Sequence, residues 1–249
     1  MLFGMWMLAA CGLDPMGYDP NGGLDTDVDR GDPTVSFVYP SDDDDIVLLY
    51  SGHGGNRINQ RDEIVSVWEE DGWTVETIEE WPTDFEGVRL VLMTNVGNRE
   101  SGGTFSESEA DLMASALETG TRFVFAQRTE ACGSTAVFSL LNYGFDAPVN
   151  FQGGALDVGG PAVFDSLNGE TQPMGGVSSL ELMAPCLINS DSPDQALASN
   201  SDGDIVVASF RPGDAGDIVL VGDMMVFSDN SQEHTGNQTF ARNLAAVRP

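Results

Sequence analysis

From Ile46 onward the chain alternates between short apolar runs and longer stretches in which apolar residues recur at helical spacing. Ile46–Tyr50, IVLLY, is apolar throughout and reads as a buried strand. Residues 59–71 place Ile64, Val67 and Trp68 on one helical face, and Gly72 ends that helix. Trp73–Ile78 and Arg89–Thr94 read as the second and third strands. Ser106 and Glu109 have the spacing of a capping box, and the helix they open carries Leu112, Met113, Ala116 and Leu117 on one stripe before Gly120. Arg122–Ala126, RFVFA, is a fourth strand, and Ser134–Tyr143 another helix. Buried apolar strands alternating with helices predict a parallel sheet covered on both faces.

Residues 146–204 break this rhythm. They are rich in glycine, with short strands near Val149–Phe151 and Leu180–Met183, and read as an irregular or antiparallel insertion. Regular structure returns in Ile205–Phe210 and Ile218–Val221, whose connection through Pro212, Gly213 and Gly216 predicts a hairpin. A final helix spans Asn237–Ala246, with Phe240, Leu244 and Val247 on one face.

Before the alternation begins, the pattern is different. Residues 1–10 form a short apolar run ending in Leu8-Ala9-Ala10-Cys11, which resembles a bacterial lipobox. Small residues suit the signal peptidase, and the Cys11 thiol is the atom that would take the lipid. The run is too short to span a bilayer, and no other segment reads as a spanning helix. The expectation is a lipoprotein of the bacterial cell envelope, anchored through Cys11 and facing the periplasm or the exterior. Residues 11–45 then form an acidic tether of glycine, proline and aspartate, with Val35–Tyr39 as a short edge strand, and residues 46–249 form the folded domain. Asp25, Asp27 and Asp29 alternate as in a calcium loop, but Arg30 and Ser36 stand where a glycine and a bidentate glutamate are needed, so solvated linker is the expected role.

Charge narrows the partners. The formal net charge is -30, and the ten basic residues are all arginine. Such a field repels phosphate backbones, so nucleic acid is not an expected partner. Two histidines far apart do not make a zinc set; neither a metal site nor a cofactor is implied. With Cys11 lipidated, Cys132 and Cys186 remain as an even pair in an oxidising compartment, which reads first as a disulfide.

In an open parallel sheet, ligands bind beyond the carboxyl ends of the strands. The residues placed there are His53, Asn56 and Arg57 after the first strand, and Asn95, Asn98 and Arg99 after the third. Gln127, Arg128 and Glu130 follow the fourth, and Asp223 follows the last. Three of the ten arginines thus fall on one edge of a strongly acidic chain. They suit a crevice for an anionic or hydroxyl-rich ligand, or they neutralise neighbours such as Glu100 and Glu130.

The order of elements from Ile46 to Ala246 resembles the class I glutamine-amidotransferase-like superfamily. It is most similar to the non-amidotransferase branches: trehalose-utilisation-like proteins and related domains of gliding-motility and intraflagellar-transport proteins. The first strand with its Gly/Asn loop carries the resemblance, with ALETGTRFVFA, FSLLNYGFDAP and GDIVLVGDMMVFSD…TGNQTFARNLA. It implies a flavodoxin-like three-layer sandwich with a mostly parallel sheet, a C-terminal β-hairpin and the insertion noted above. It also implies a catalytic cysteine directly after RFVFA and a His-Pro-Glu after the closing strand. Here Gln127-Arg128-Thr129 and Gly222-Asp223-Met224 stand in those places. Without a poised thiolate and its base, amidotransferase chemistry has no nucleophile. The expectation is therefore a binding or scaffolding domain for carbohydrate or an envelope protein partner.

A second reading competes. YSGHGG and EACGS resemble the His-Gly and Cys blocks of caspase-like cysteine peptidases, which would make His53 the base and Cys132 the nucleophile. The disulfide decides between them, because a bridged Cys132 cannot attack.

Overall fold

A computed structural model describes residues 46–55, 61–97, 103–169, 171–213 and 215–246. The lipobox with Cys11, the tether and its Val35–Tyr39 strand, and the site candidates Asn56, Arg57, Asn98 and Arg99 lie outside the described residues.

The order of elements follows the alternation in the sequence. Strand β1 is Ile46–Tyr50, helix α1 Asp62–Glu70, β2 Thr74–Ile78, β3 Val88–Thr94, helix α2 Glu107–Glu118 and β4 Arg122–Ala126. Helix α3, Thr135–Ser139, runs on as a π-helical turn over Leu140–Gly144. The insertion holds β5 Val149–Ala155, β6 Ala162–Phe164, β7 Ser166–Leu167, β8 Leu180–Leu182, β9 Cys186–Ser190 and β10 Ala196–Ser199. Strands β11, Ile205–Phe210, and β12, Ile218–Val221, follow. A 3-10 turn at Met224–Phe227, the short helix α4 at Asp229–Gln232 and the helix α5 at Thr235–Ala245 close the described chain.

The sheet order is β2-β1-β3-β4-β12-β11-β10-β7, and the first five strands are mutually parallel. This is the flavodoxin-like order, in which the chain reverses its direction of winding between β1 and β3. Strand β12 has two partners: it forms the expected antiparallel hairpin with β11 and also pairs in parallel with β4. The hairpin is therefore built into the main sheet. Strands β9 and β5 extend from β11 by antiparallel pairing, and β6 with β8 makes a separate two-stranded sheet.

Alternation along each strand divides the core into two layers. Val47, Leu49, Leu90, Leu92, Val124 and Val219 face α1 and α5, against Ile64, Trp68, Phe240 and Leu244. Leu48, Tyr50, Val91, Met93, Phe123, Phe125 and Leu220 face the other side, against Met113, Leu117, Val137 and Leu141 of α2, α3 and the turn that follows. Burying each such side chain stabilises the fold by roughly 1.5–3 kcal/mol relative to exposure, and the two faces together make a three-layer α/β sandwich. Among the described residues no helix is long and apolar enough to cross a membrane.

At the amino end of β4 the core contains an ion pair. Arg122 donates from Nε to Asp217 Oδ1 at 2.6 Å and from Nη2 to Asp217 Oδ2 at 3.2 Å, with both side chains buried. Its Nη1 donates to the carbonyls of Asn243 and Leu244, so the same guanidinium caps the carboxyl end of α5.

Candidate functional site

Two loops meet where the winding reverses. The loop after β1 holds His53 at φ 49°, and the loop after β3 holds Asn95 at φ 51°; both are left-handed, a conformation that costs a non-glycine residue energy unless its surroundings hold it. Gly97 N donates to His53 O at 2.9 Å and joins the loops. A shallow depression of about 280 Å³, open to solvent, lies beside them on the α1 face, lined by Leu49, Ser51, Arg61, Ile64 and Thr94.

His53 is held on every side. Its Nδ1 is hydrogen-bonded to the Tyr50 hydroxyl, and its Nε2 lies 3.2 Å from Glu109 Oε1. Since a carboxylate only accepts, Nε2 carries a hydrogen toward Glu109, and Nδ1 shares one hydrogen bond with the Tyr50 hydroxyl. The ring stacks on Phe105 with centroids 4.2 Å apart and meets the edge of Trp81 at 5.9 Å. Trp81 also packs edge-on against Tyr50, Phe85 and Phe105. Gly103 is needed here, because a Cβ on it would sit 2.8 Å from His53 Cα.

Glu109 is the third residue of helix α2, within the capping box read from the sequence. Ser106 donates to Glu109 Oε2 from both N and Oγ at 2.7 Å, and Glu109 N donates back to Ser106 Oγ. Desolvation pushes the Glu109 carboxyl up, but the Ser106 hydrogen bonds and then His53 outweigh it and hold the group below the usual glutamate value. Burial, followed by the nearby Glu109 charge, pushes the Tyr50 phenol well above its ordinary range. Tyr50 is therefore a hydrogen-bond donor at neutral pH, not a phenolate nucleophile.

The β4 and β12 end of the edge is covered. Cys132, in the loop after β4, is joined by a disulfide to Cys186 at the start of β9, with Cα atoms 5.3 Å apart and both residues buried. The bridge brings the segment Met183–Cys186 across the strand ends. Cys186 N donates to Gly222 O at 2.7 Å, and Met183 N donates to Asp223 Oδ2 at 2.6 Å. A Cβ at Gly222 would lie 2.4 Å from Cys186 O, so only glycine admits the strap this closely.

The strap accounts for the place of Asp223. Asp223 is fully buried, and its other oxygen accepts from Met225 N, so it caps the following turn and anchors the strap. Gln127 and Asn95 are also fully buried. Gln127 Nε2 donates to Val96 O at 3.3 Å, and Asn95 Nδ2 donates to Glu130 Oε1 at 2.8 Å. Arg128 is half-buried and Glu130 exposed. The structure thus brings His53, Asn95, Gln127 and Glu130 to one edge. His53 finds its partners in Tyr50, Glu109, Phe105 and Trp81, none of which stood among the sequence candidates. Tyr50 and Glu109 were visible only as the end of a strand and half of a cap.

The fold is a mixed α/β sandwich with a mostly parallel central sheet, and the described residues place a shallow depression at its carboxyl edge. No family model matches the sequence, and no curated protein matches it. Solved structures are similar in fold. The mmIFT52 N-terminal domain has a TM-score of 0.60 at 11% identity, over 79% of this chain and 94% of that one. The cytoplasmic protein STM1381 from Salmonella typhimurium LT2 has a TM-score of 0.57 at 12% identity, over 80% and 98%. A β-galactosidase from Bacillus circulans sp. alkalophilus has a TM-score of 0.51 at 14% identity, over 80% of this chain but 30% of that one. At these identities the likeness concerns the fold alone.

Proposed function

We propose that this chain is an exported, lipid-anchored binding or scaffolding domain of the amidotransferase-like type, in a non-amidotransferase branch, and that it performs no covalent catalysis. Its ligand is a saccharide or an envelope protein, taken at the carboxyl edge between β1 and β3. The observation that carries this reading is the state of the two residues a peptidase would need. His53 has both ring nitrogens engaged, Nδ1 by Tyr50 and Nε2 by Glu109, and Cys132 has its sulfur in a bridge. A general base needs its lone pair facing the proton it removes, and a thiolate needs a free sulfur.

Further support comes from the winding reversal, where α/β sheets of this order place their ligands, and from the shallow depression beside it. The experiment is a saccharide array probed with the full chain in detergent, followed by calorimetry on any saccharide retained. The expected result is saturable binding with the saccharide recovered unchanged, and loss of binding when Arg57, Arg99 and Arg128 are replaced together by glutamine. Cleavage of the saccharide, or unchanged binding by the triple variant, would contradict this reading of the edge.

A further inference from the structure

Asn95 and Gln127 are the first residues beyond the sheet on adjacent strands. Thr94 and Ala126 are register partners, and Asn95 N donates to Ala126 O at 2.9 Å. Both amide side chains have fixed orientations, because each NH₂ group donates to an atom that can only accept: the Glu130 carboxylate and the Val96 carbonyl. Turning either amide over would set two acceptors against each other. The outcome is two carbonyl oxygens, Asn95 Oδ1 and Gln127 Oε1, which no donor among the described residues reaches, in residues that are 0% exposed. Buried acceptors of this kind are rare in folded proteins, and two from neighbouring positions are rarer still.

We infer that Asn95 Oδ1 and Gln127 Oε1 form an internal acceptor pair for one small guest that presents a positive pole. The chemistry excludes an anion: two carbonyl oxygens, with the Glu130 carboxylate one hydrogen bond away, repel it. Two sources fit, namely the two hydrogens of a water molecule, or a monovalent cation stripped of part of its hydration shell. A chain of net charge -30 concentrates cations around itself and favours the second where space allows. Both residues are fully buried, so the guest is enclosed and differs from whatever ligand the β1/β3 loops take.

The test is a crystal structure of the full chain grown in rubidium chloride, with melting curves in rubidium chloride and in tetramethylammonium chloride at equal concentration. A rubidium anomalous peak in contact with both oxygens, with a melting temperature ~3 °C or more above that in tetramethylammonium, assigns a cation. An ordinary density peak at hydrogen-bond distance from both, with equal melting temperatures, assigns a water. Either result upholds the pair, and Gln127→Met is expected to remove the peak. The wild-type crystal decides independently of that variant's folding: no peak shared by the two oxygens, or an amide found turned over with its NH₂ in that position, overturns the inference. Neither result bears on saccharide binding, so the two proposals fail separately.

Discussion

His53 Nε2 and Glu109 Oε1 stand 3.2 Å apart, joining the loop after β1 to the first turn of α2, 56 residues further along the chain. Glu109 is held below the usual glutamate value, so its contribution to stability has a definite sign. As pH falls below about 4.5, the unfolded chain takes up this proton before the folded one does, and stability is lost until the folded value is passed. Many other carboxylates titrate in the same window, so the readout is a difference. Urea denaturation of wild type and Glu109→Gln from about pH 6 to about pH 3 is expected to show a gap between them that shrinks on the acid side. A constant gap would remove Glu109 from the network.

Tyr50 acts at the other end of the pH scale. Its phenol is held above the ordinary tyrosine range, so the unfolded chain ionises there first and stability falls as pH rises past about 10. Tyr50→Phe is expected to lose about 1–2 kcal/mol at neutral pH, since it leaves His53 Nδ1 without its hydrogen-bond partner, and to flatten the alkaline decline. Alkaline denaturation monitored by circular dichroism measures both.

Arg122 and Asp217 are a buried pair, and breaking one side leaves the other charged and enclosed. Arg122→Met is expected to cost about 3–5 kcal/mol, with Arg122→Met combined with Asp217→Leu less destabilised than the single variant. Chemical denaturation of the three proteins checks the order. The single variant also uncaps the carboxyl end of α5 at Asn243 and Leu244.

The Cys132–Cys186 bridge closes a loop across 54 residues. Replacing both cysteines by serine is expected to lower stability by about 4 kcal/mol on the loop-entropy estimate. Equilibrium unfolding of the double variant against wild type, both without reductant, gives the number. Hydrogen exchange is expected to rise first in the Met183–Cys186 strap.

Much of the fold was legible because its signals are local. IVLLY, RFVFA and the Ser106–Glu109 cap each specify an element within a few residues, and β4, β11 and β12 fall where the pattern put them. The insertion was less legible: β6, β7, β9 and β10 are short, and their burial comes from distant partners such as β11. The last helix begins at Thr235, two residues before the Asn237 start read from the sequence, and Asn237 turns inward and bonds to the backbone of Glu181. The edge residues His53, Asn95 and Gln127 could be placed by strand order alone. That Asp223 would be sealed beneath a strap could not, since the seal depends on Met183 returning from the insertion. Nor did any spacing tie Glu109 to His53; only the packing of α2 against β1 and β3 does.

The most direct test of the account is the accessibility of the Cys132 sulfur. Native full-length protein is treated with an alkylating reagent without reductant, digested, and its cysteine peptides are weighed. The account predicts no label on Cys132 or Cys186 and a recovered peptide pair linking them. A labelled Cys132, with labelling that slows when His53 is replaced by glutamine, would contradict it and make the edge a cysteine-dependent active site.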